Sequence, residues 1–393
     1  MVLFLHNRYR TTGGEERAVA DLLWLVREEL GEPAELLSRE SEGLGRARAA
    51  AGLLRGGLDA GDVGRAVRLS GARVVHAHNL HPAFGWRALA QARAAGAGVV
   101  LHLHQYRLVC ATGVCFTRGA ECTRCHGRDT LPGVRLNCRG SVPEALAYGV
   151  SLALWQQRLV GQADAFIVPS AFARERLREL GAPLPWERVH VIPPVLPSLA
   201  GPAQPAAAGA GGPEGDGGAA PVPAPYALLV SRLAPEKGVE VAIDACRMAG
   251  MALVIAGDGP EFAALRERVR GAPVHFAGLV GEQELARLRA GAAIALAPSR
   301  SGETFGLAVA EAMAAGVPVA ASRVGALPEL VEPDDLVEPG NARALALAIS
   351  RLAGDRAAGE RARLRVRELC APERVARALA AVYDGVGRAA ASA

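Results

Sequence analysis

Short runs of consecutive apolar residues alternate along this chain with longer stretches whose apolar positions recur every three or four residues. Val2–Leu5, Arg73–His76, Val99–Leu103, Ala165–Val168 and Val189–Ile192 have strand length and character, while Glu15–Leu30, Ala83–Ala95 and Pro143–Val160 have helical spacing. Runs that are apolar throughout fit strands buried on both faces, and their alternation with helices predicts parallel sheets of βαβ units. The second half repeats the pattern. Ala227–Val230, Ala252–Ala256, Val274–Phe276, Ile294–Ala297 and Val317–Ala320 read as strands, with helices over Val239–Met248, Glu261–Val269, Glu282–Ala290 and Leu307–Ala315. Three more helices follow at Asn341–Leu352, Arg356–Leu369 and Pro372–Val386, the last opened by a proline suited to a first turn. The expectation is two doubly wound α/β domains, 1–195 and 226–371, with a terminal helix in 372–393. Residues 196–225, rich in Pro, Gly and Ala and almost devoid of core-forming side chains, read as a linker.

A hydrophobic share of 50% against 21% charged residues excludes a mainly disordered chain. Aromatics are only 4%, so Ala, Val and Leu must build the cores. The formal net charge of +4 is too balanced to argue for nucleic acid, and few aromatics are available for base stacking. No apolar run reaches the ~18 residues of a membrane span; Gly306–Ala321 comes nearest and is interrupted by Glu311. The N-terminus enters a strand-like run without a signal-peptide layout, so a cytoplasmic protein is expected. Peripheral contact with the inner face of a membrane stays open, because Arg158 lies beside Trp155 in a helical stretch that also reads as an ordinary amphipathic helix. Lys237 is the only lysine among 44 basic residues. In a chain so biased to arginine, either one lysine has survived by chance or a compact ammonium is needed there, since the two cations differ as phosphate partners.

The strongest chemical signal is Ser299-Arg300-Ser301-Gly302-Glu303-Thr304-Phe305-Gly306-Leu307-Ala308-Val309-Ala310-Glu311, which leaves a strand and enters a helix. That puts Glu303 beyond a strand's carboxyl end, where open α/β sheets bind ligands. The backbone N–H groups of Phe305, Gly306 and Leu307 would face an anion from the helix start. Glu311 follows about two helical turns later. This stretch resembles the glutamate-x7-glutamate signature of glycosyltransferase family 4, retaining enzymes of the GT-B fold, and the likeness extends over nearly the whole chain. It implies two Rossmann-like domains facing across a cleft, with the last helix crossing back to the N-terminal domain. It also implies that Glu303 contacts the donor sugar, that the adjoining Thr304 belongs to the donor-binding set, and that Glu311 holds the nucleotide ribose. Ser231-Arg232-Leu233-Ala234-Pro235-Glu236-Lys237-Gly238 resembles the donor-phosphate motif, with Ser231 where the family usually has glycine. Arg232 and Lys237 would neutralise the diphosphate, so no catalytic divalent metal is expected. Gly257 belongs to a Gly257-Asp258-Gly259-Pro260 turn that fits the family pattern, and Leu279 to the segment whose backbone meets the base. Gly13 and Gly14, in Thr12-Gly13-Gly14-Glu15-Glu16, correspond to a loop beside the donor phosphates and acceptor.

Two clusters remain. His76, His78 and His81 crowd one strand end, and His102 and His104 another. His104 fits the family's active-site histidine, whereas His78 suits structural support or the acceptor side. Five of the seven cysteines, Cys110, Cys115, Cys122, Cys125 and Cys138, fall in a polar, turn-rich insert at 107–140. Cys122-Thr123-Arg124-Cys125 has metal-ligand spacing. Four thiolates, from Cys110, Cys122, Cys125 and Cys138, would close a structural Zn2+ site and leave Cys115 spare; metal-free thiols, a redox dithiol and an iron–sulfur site stay open. Part of the family carries an insert resembling this one. The implied reaction is transfer of a sugar from a UDP- or GDP-sugar to a hydroxyl of a saccharide, lipid-linked or small-molecule acceptor, with retention. A GT-B-type epimerase or phosphorylase, and a non-catalytic sugar-nucleotide-binding protein, are the alternatives. Sugar, base, acceptor and oligomeric state are not written in the sequence.

Overall fold

The computed structural model describes residues 1–9, 13–200, 224–269 and 271–391, with side chains to 387. Of the expected linker, 201–223 lies outside the described residues, as does Thr12 of the N-terminal glycine motif. The chain divides into two compact units. One holds Met1–Thr117, Cys122–Pro197 and Pro372–Ala393, and the other Arg118–Glu121 and Ser198–Ala371.

In the first unit the sheet strands are β1 (Val2–Arg8), β2 (Ala34–Glu40), β3 (Val74–Ala77), β4 (Gly98–His102), β7 (Ala165–Val168) and β8 (Val189–Val191). Within the insert, β5 (Phe116–Thr117) pairs with β6 (Ala120–Glu121), the latter in the short stretch grouped with the second unit. Its helices are α1 (Gly14–Glu28), α2 (Arg46–Arg55), α3 (Gly61–Ser70), α4 (Gly85–Ala94), α5 (Leu131–Arg135), α6 (Val142–Gly161) and α7 (Ala171–Glu179). The six-stranded parallel sheet runs β2-β1-β3-β4-β7-β8. Strands β3, β4 and β7 are buried residue for residue, as their unbroken apolar runs predict. Strand β2 escapes that reading. Its sequence Ala-Glu-Leu-Leu-Ser-Arg-Glu is largely polar because it lies at the sheet edge and has little to bury.

The second unit contains β9 (Tyr226–Val230), β10 (Ala252–Ala256), β11 (Val274–Gly278), β12 (Ala292–Ala297), β13 (Val319–Ser322) and β14 (Leu336–Val337). Its helices are α8 (Val239–Ala249), α9 (Phe262–Arg268), α10 (Glu282–Gly291), α11 (Leu307–Ala314), α12 (Leu327–Leu330), α13 (Ala342–Leu352) and α14 (Arg356–Cys370). Its six strands are ordered β11-β10-β9-β12-β13-β14. Both sheets therefore reverse direction of growth once. In the second, the chain builds β9, β10 and β11 outward and then returns to place β12 on the other side of β9. In the first, the same reversal falls between β1 and β3. Loops that leave the carboxyl ends of strands flanking such a reversal diverge to opposite faces and open a crevice, which makes these two loop pairs the expected ligand sites.

The terminal helix α15 (Pro372–Ala391) belongs to the first unit. Val375, Leu379, Tyr383 and Val386 are buried against the face of the sheet that carries Val2, Phe4, Val74 and Val100. The approach is close. A Cβ on Gly98, the first residue of β4, would overlap the side chain and carbonyl of Val386. Arg73 also donates to the Tyr383 carbonyl at 3.2 Å and pairs with Glu32, fixing the helix over the start of β3.

Candidate active site

The second unit gathers its charged residues at the β9/β12 reversal. The loop after β9 makes one 3-10 turn, Pro235–Lys237, and leaves it through Gly238 at φ 63. A side chain on Gly238 would meet the Pro298 carbonyl of the loop after β12, so the two loops pack backbone to backbone. Across this contact the Lys237 ammonium donates to Glu303 Oε1 at 2.7 Å, and the Ser299 hydroxyl donates to the same oxygen at 2.7 Å. Burial would raise the Glu303 carboxyl, but the lysine charge and these two hydrogen bonds outweigh it and hold it below the usual carboxylate range. Glu303 is thus an ionised, oriented acceptor. Arg232, half exposed, pairs with Glu236 of the same loop. The Arg300 N–H donates to the Glu236 carbonyl at 2.8 Å, and the Arg300 guanidinium meets Glu240 at 2.7 Å.

The rest of the expected donor set lies on neighbouring loops. Gly257 leaves β10 at φ 140 with its α-carbon against the Ser231 carbonyl, where no side chain would fit. Leu279, just after β11, is 72% exposed. Phe305 is buried, Gly306 caps α11 at φ 103, and Leu307 begins that helix; Thr304 lies between them and Glu303. Glu311 accepts from Arg289 of α10. Sequence reading missed Arg289, Ser299 and Gly325. Gly325 (φ 64) packs on the Glu303 backbone, and the next residue, Ala326, donates its N–H to the Glu303 carbonyl at 2.9 Å. Only Ser299 left a local signal, four residues ahead of Glu303.

In the first unit the equivalent loops follow β1 and β3. Gly13 is the N-cap of α1, and its N–H donates to Glu16 Oε2 at 2.9 Å while Tyr9 N–H donates to Glu16 Oε1 at 3.0 Å. Gly14 is the first helical residue. The end of α1 is therefore closed by its own glutamate. Tyr9 and Gln105 both donate to Glu15 Oε2, at 2.8 and 3.1 Å. Registers of β1, β3 and β4 bring His6, His76, His78, His102 and His104 onto one face of the sheet. His78 Nδ1 lies 2.8 Å from His104 Nε2, and His76 Nδ1 2.7 Å from the Tyr383 hydroxyl. Burial pushes His76, His78, His102 and His104 down, His76 to about 3, which favours the neutral imidazole at these four positions. His76, His78 and His102 form the one trio of ligand atoms within 4.8 Å of one another among the described residues. Their rings stack, His76 on His102 at 8°, so their in-plane lone pairs run side by side and do not converge on an ion.

The five clustered cysteines line one small pocket with Pro132, Gly133 and Leu136. Cys115, read as spare, stands against Cys110; its hydrogen bond is the main cause that lowers the Cys110 thiol to about 5. Cys125 faces Cys110 and Cys138. No three of the sulfurs come within 4.8 Å of one another.

Residues 3–194 match the glycosyl transferase 4-like domain, and residues 224–355 match the glycosyl transferases group 1 domain. A GDP-mannose-dependent alpha-(1-6)-phosphatidylinositol dimannoside mannosyltransferase from Mycobacterium tuberculosis is 42% identical over 109 residues, 26% of this chain and 28% of that protein. Matches to curated relatives span between 14% and 38% of those proteins' lengths. Among solved structures, sucrose-phosphate synthase from Thermosynechococcus elongatus superposes with a TM-score of 0.67 at 20% identity, covering 99% of both chains. Anabaena HepE in complex with UDP and glucose gives 0.61 at 18% identity, over 98% of this chain and 99% of that one.

Proposed function

Because the chain belongs to the glycosyl transferases, with a 4-like domain followed by a group 1 domain in the GT-B fold, we propose that it moves a sugar from a UDP- or GDP-sugar to an acceptor hydroxyl with retention. The observation that carries this is the Lys237–Glu303 pair at the β9/β12 reversal, with Arg232 on the same loop as the lysine. A nucleoside diphosphate is the leaving group, and its developing charge needs fixed cations. Lys237 and Arg232 supply them, so the reaction needs no divalent metal. Glu303 accepts hydrogen bonds from the donor sugar and Glu311, steered by Arg289, from the ribose hydroxyls. The amides of Phe305, Gly306 and Leu307 face the phosphates, with Thr304 beside Glu303, and the backbone around Gly257 and Leu279 takes the nucleoside. In the first unit His104 is the sugar-positioning histidine, and the loop at Gly13 and Gly14 serves the phosphate and acceptor side, where a bound phosphate would take the Gly13 N–H from the Glu16 carboxylate that holds it in the free protein.

The bond from the anomeric carbon to the phosphate oxygen breaks, and a bond to the acceptor oxygen forms on the same face. The acceptor proton passes to the departing phosphate oxygen. Isothermal calorimetry with UDP and GDP, followed by NMR of the product's anomeric configuration with a donor panel, tests the reading. Absence of nucleotide binding, or an inverted product, overturns it.

The same proposal gives the thiols of Cys110, Cys122, Cys125 and Cys138 to a structural Zn2+. Residues 107–140 hold only a two-residue hairpin and a five-residue helix, too little core to hold a segment by burial alone. All four of these sulfurs line one pocket, and a tetrahedral ion would have to draw them closer together than they stand in the free chain. Elemental analysis should find one zinc per chain, lost in Cys125→Ser and kept in Cys115→Ser. A metal-free protein with all seven thiols titratable overturns it.

A further inference from the structure

Helix α6 carries a feature that sugar transfer does not use. Val142, Leu146, Val150 and Leu154 are 47%, 47%, 45% and 53% exposed. They follow one another at four-residue steps, so they fall in an arc of about 120° along the helix. Ala153 and Gln157 share the exposed arc, and no charged residue stands between Glu144 and Arg158. The opposite face is buried through Ala145, Tyr148, Leu152 and Gln156. A surface helix normally turns its polar residues outward; this one is apolar on both sides, and a contiguous exposed apolar face marks an interaction site.

The surroundings say what kind. Helix α2 packs beside α6, with Trp155 Nε1 donating to the Leu54 carbonyl at 3.0 Å, and adds exposed Leu54 to the patch. Both α2 and α5 pack on α6, and the exposed arginines of these helices are Arg46, Arg48 and Arg55 of α2, Arg135 of α5 and Arg158 of α6. Arg158 rests over Trp86 and Trp155, 5.3 and 5.2 Å from the ring centroids. Nearby acids are already engaged, Glu144 by Arg139 and Asp59 by Arg48. An apolar stripe with exposed arginines on its own and adjoining helices suits an anionic membrane surface, where acyl chains take the apolar side chains and phosphates the guanidinium groups. A symmetric pair of copies on this face would instead set these arginines against their own images. We propose that the α6–α2 face of the first unit docks on an anionic lipid surface, with α6 lying in the plane of the interface.

Flotation of the full chain with vesicles tests this independently of any transfer reaction. The protein should rise with phosphatidylcholine–phosphatidylglycerol vesicles and stay behind with phosphatidylcholine alone. Added salt should weaken the binding. Leu146→Glu with Leu154→Glu should lower partitioning at least tenfold, and Arg158→Glu about fivefold or more. Both variants alter half-exposed positions, so unfolding temperature and nucleotide binding should match the unaltered chain. Three results overturn the proposal: no binding to anionic vesicles, unchanged flotation of the double glutamate variant, or a dimer in sedimentation that this variant turns into a monomer.

Discussion

At the scale of single residues, the two functions of Lys237 can be separated by substitution. In the free protein it neutralises Glu303; in the proposed reaction it meets a diphosphate. Lys237→Ala should lower kcat/KM by about 10²- to 10³-fold, the loss typical of one stabilising donor, while thermal unfolding stays cooperative. Lys237→Arg should restore little, because a planar fork does not replace a compact ammonium that shares one Glu303 oxygen with the Ser299 hydroxyl. Near-normal transfer by either variant would remove Lys237 from the mechanism. The buried histidine column gives a second prediction. His76 titrates near 3 in the folded chain because burial disfavours its charge, against about 6.5 when unfolded. Between these values the unfolded chain binds more protons, so stability falls as pH falls. By pH 5 His76 alone should cost roughly 2 kcal/mol, and His78 and His102 act in the same direction. Calorimetric unfolding temperatures should drop from pH 6.5 to 5, and His76→Phe should flatten that slope. Lys237 and Glu303 were visible in the sequence because their loops follow strands and carry local motifs. Arg289 was not: it is one arginine among many on α10, and only the fold brings it to Glu311.

At the scale of elements, what the sequence showed depended on burial. Most central strands were placed within a residue or two, and Ala165–Val168 and Ala252–Ala256 to the residue, while β1 runs three residues beyond the expected Leu5. Edge strand β2 and helices α2 and α3 were missed, since α2 averages polar and β2 alternates without a clear apolar face. That α15 returns to the first unit was expected from the family resemblance, but the residue that makes room for it was hidden, because it is a glycine 288 positions away from Val386. Gly98 has no positive φ to explain it; it is needed for space. Gly98→Val should force α15 off the sheet or shift β4, at about 1–3 kcal/mol, read as a lower urea midpoint. Gly96→Ala is a poor control, since Gly96 sits at φ 91. Gly61→Ala, with nothing within 4 Å, should leave the midpoint near its original value.

At the scale of the whole molecule, the chain closes its first unit last. Residues 1–197 build the six strands, yet the face carrying Phe4, Val74 and Val100 is covered by side chains some 180 residues beyond Pro197. The second unit has its own core, in which Leu229, Ile243, Ile255, Ile294 and Leu345 are buried without α15. Loss of α15 should therefore fall on one unit only. A chain ending at Ala371 would uncover Val2, Val100 and Ile167, and would strand the His76 Nδ1 that now meets the Tyr383 hydroxyl. An unpaired buried nitrogen adds about 1–3 kcal/mol to the loss of apolar burial. In hydrogen exchange, the amides of β1, β3 and β4 should lose most of their protection in the truncated chain. Those of β9, β10 and β12 should keep theirs, and UDP or GDP should still bind, because Arg232, Lys237, Glu303 and Glu311 all lie in the unit left intact. Equal loss of protection in both sheets would mean that the two cores fold as one cooperative body. Unchanged protection in β1, β3 and β4 would mean that the buried face of α15 contributes nothing to the first unit's stability.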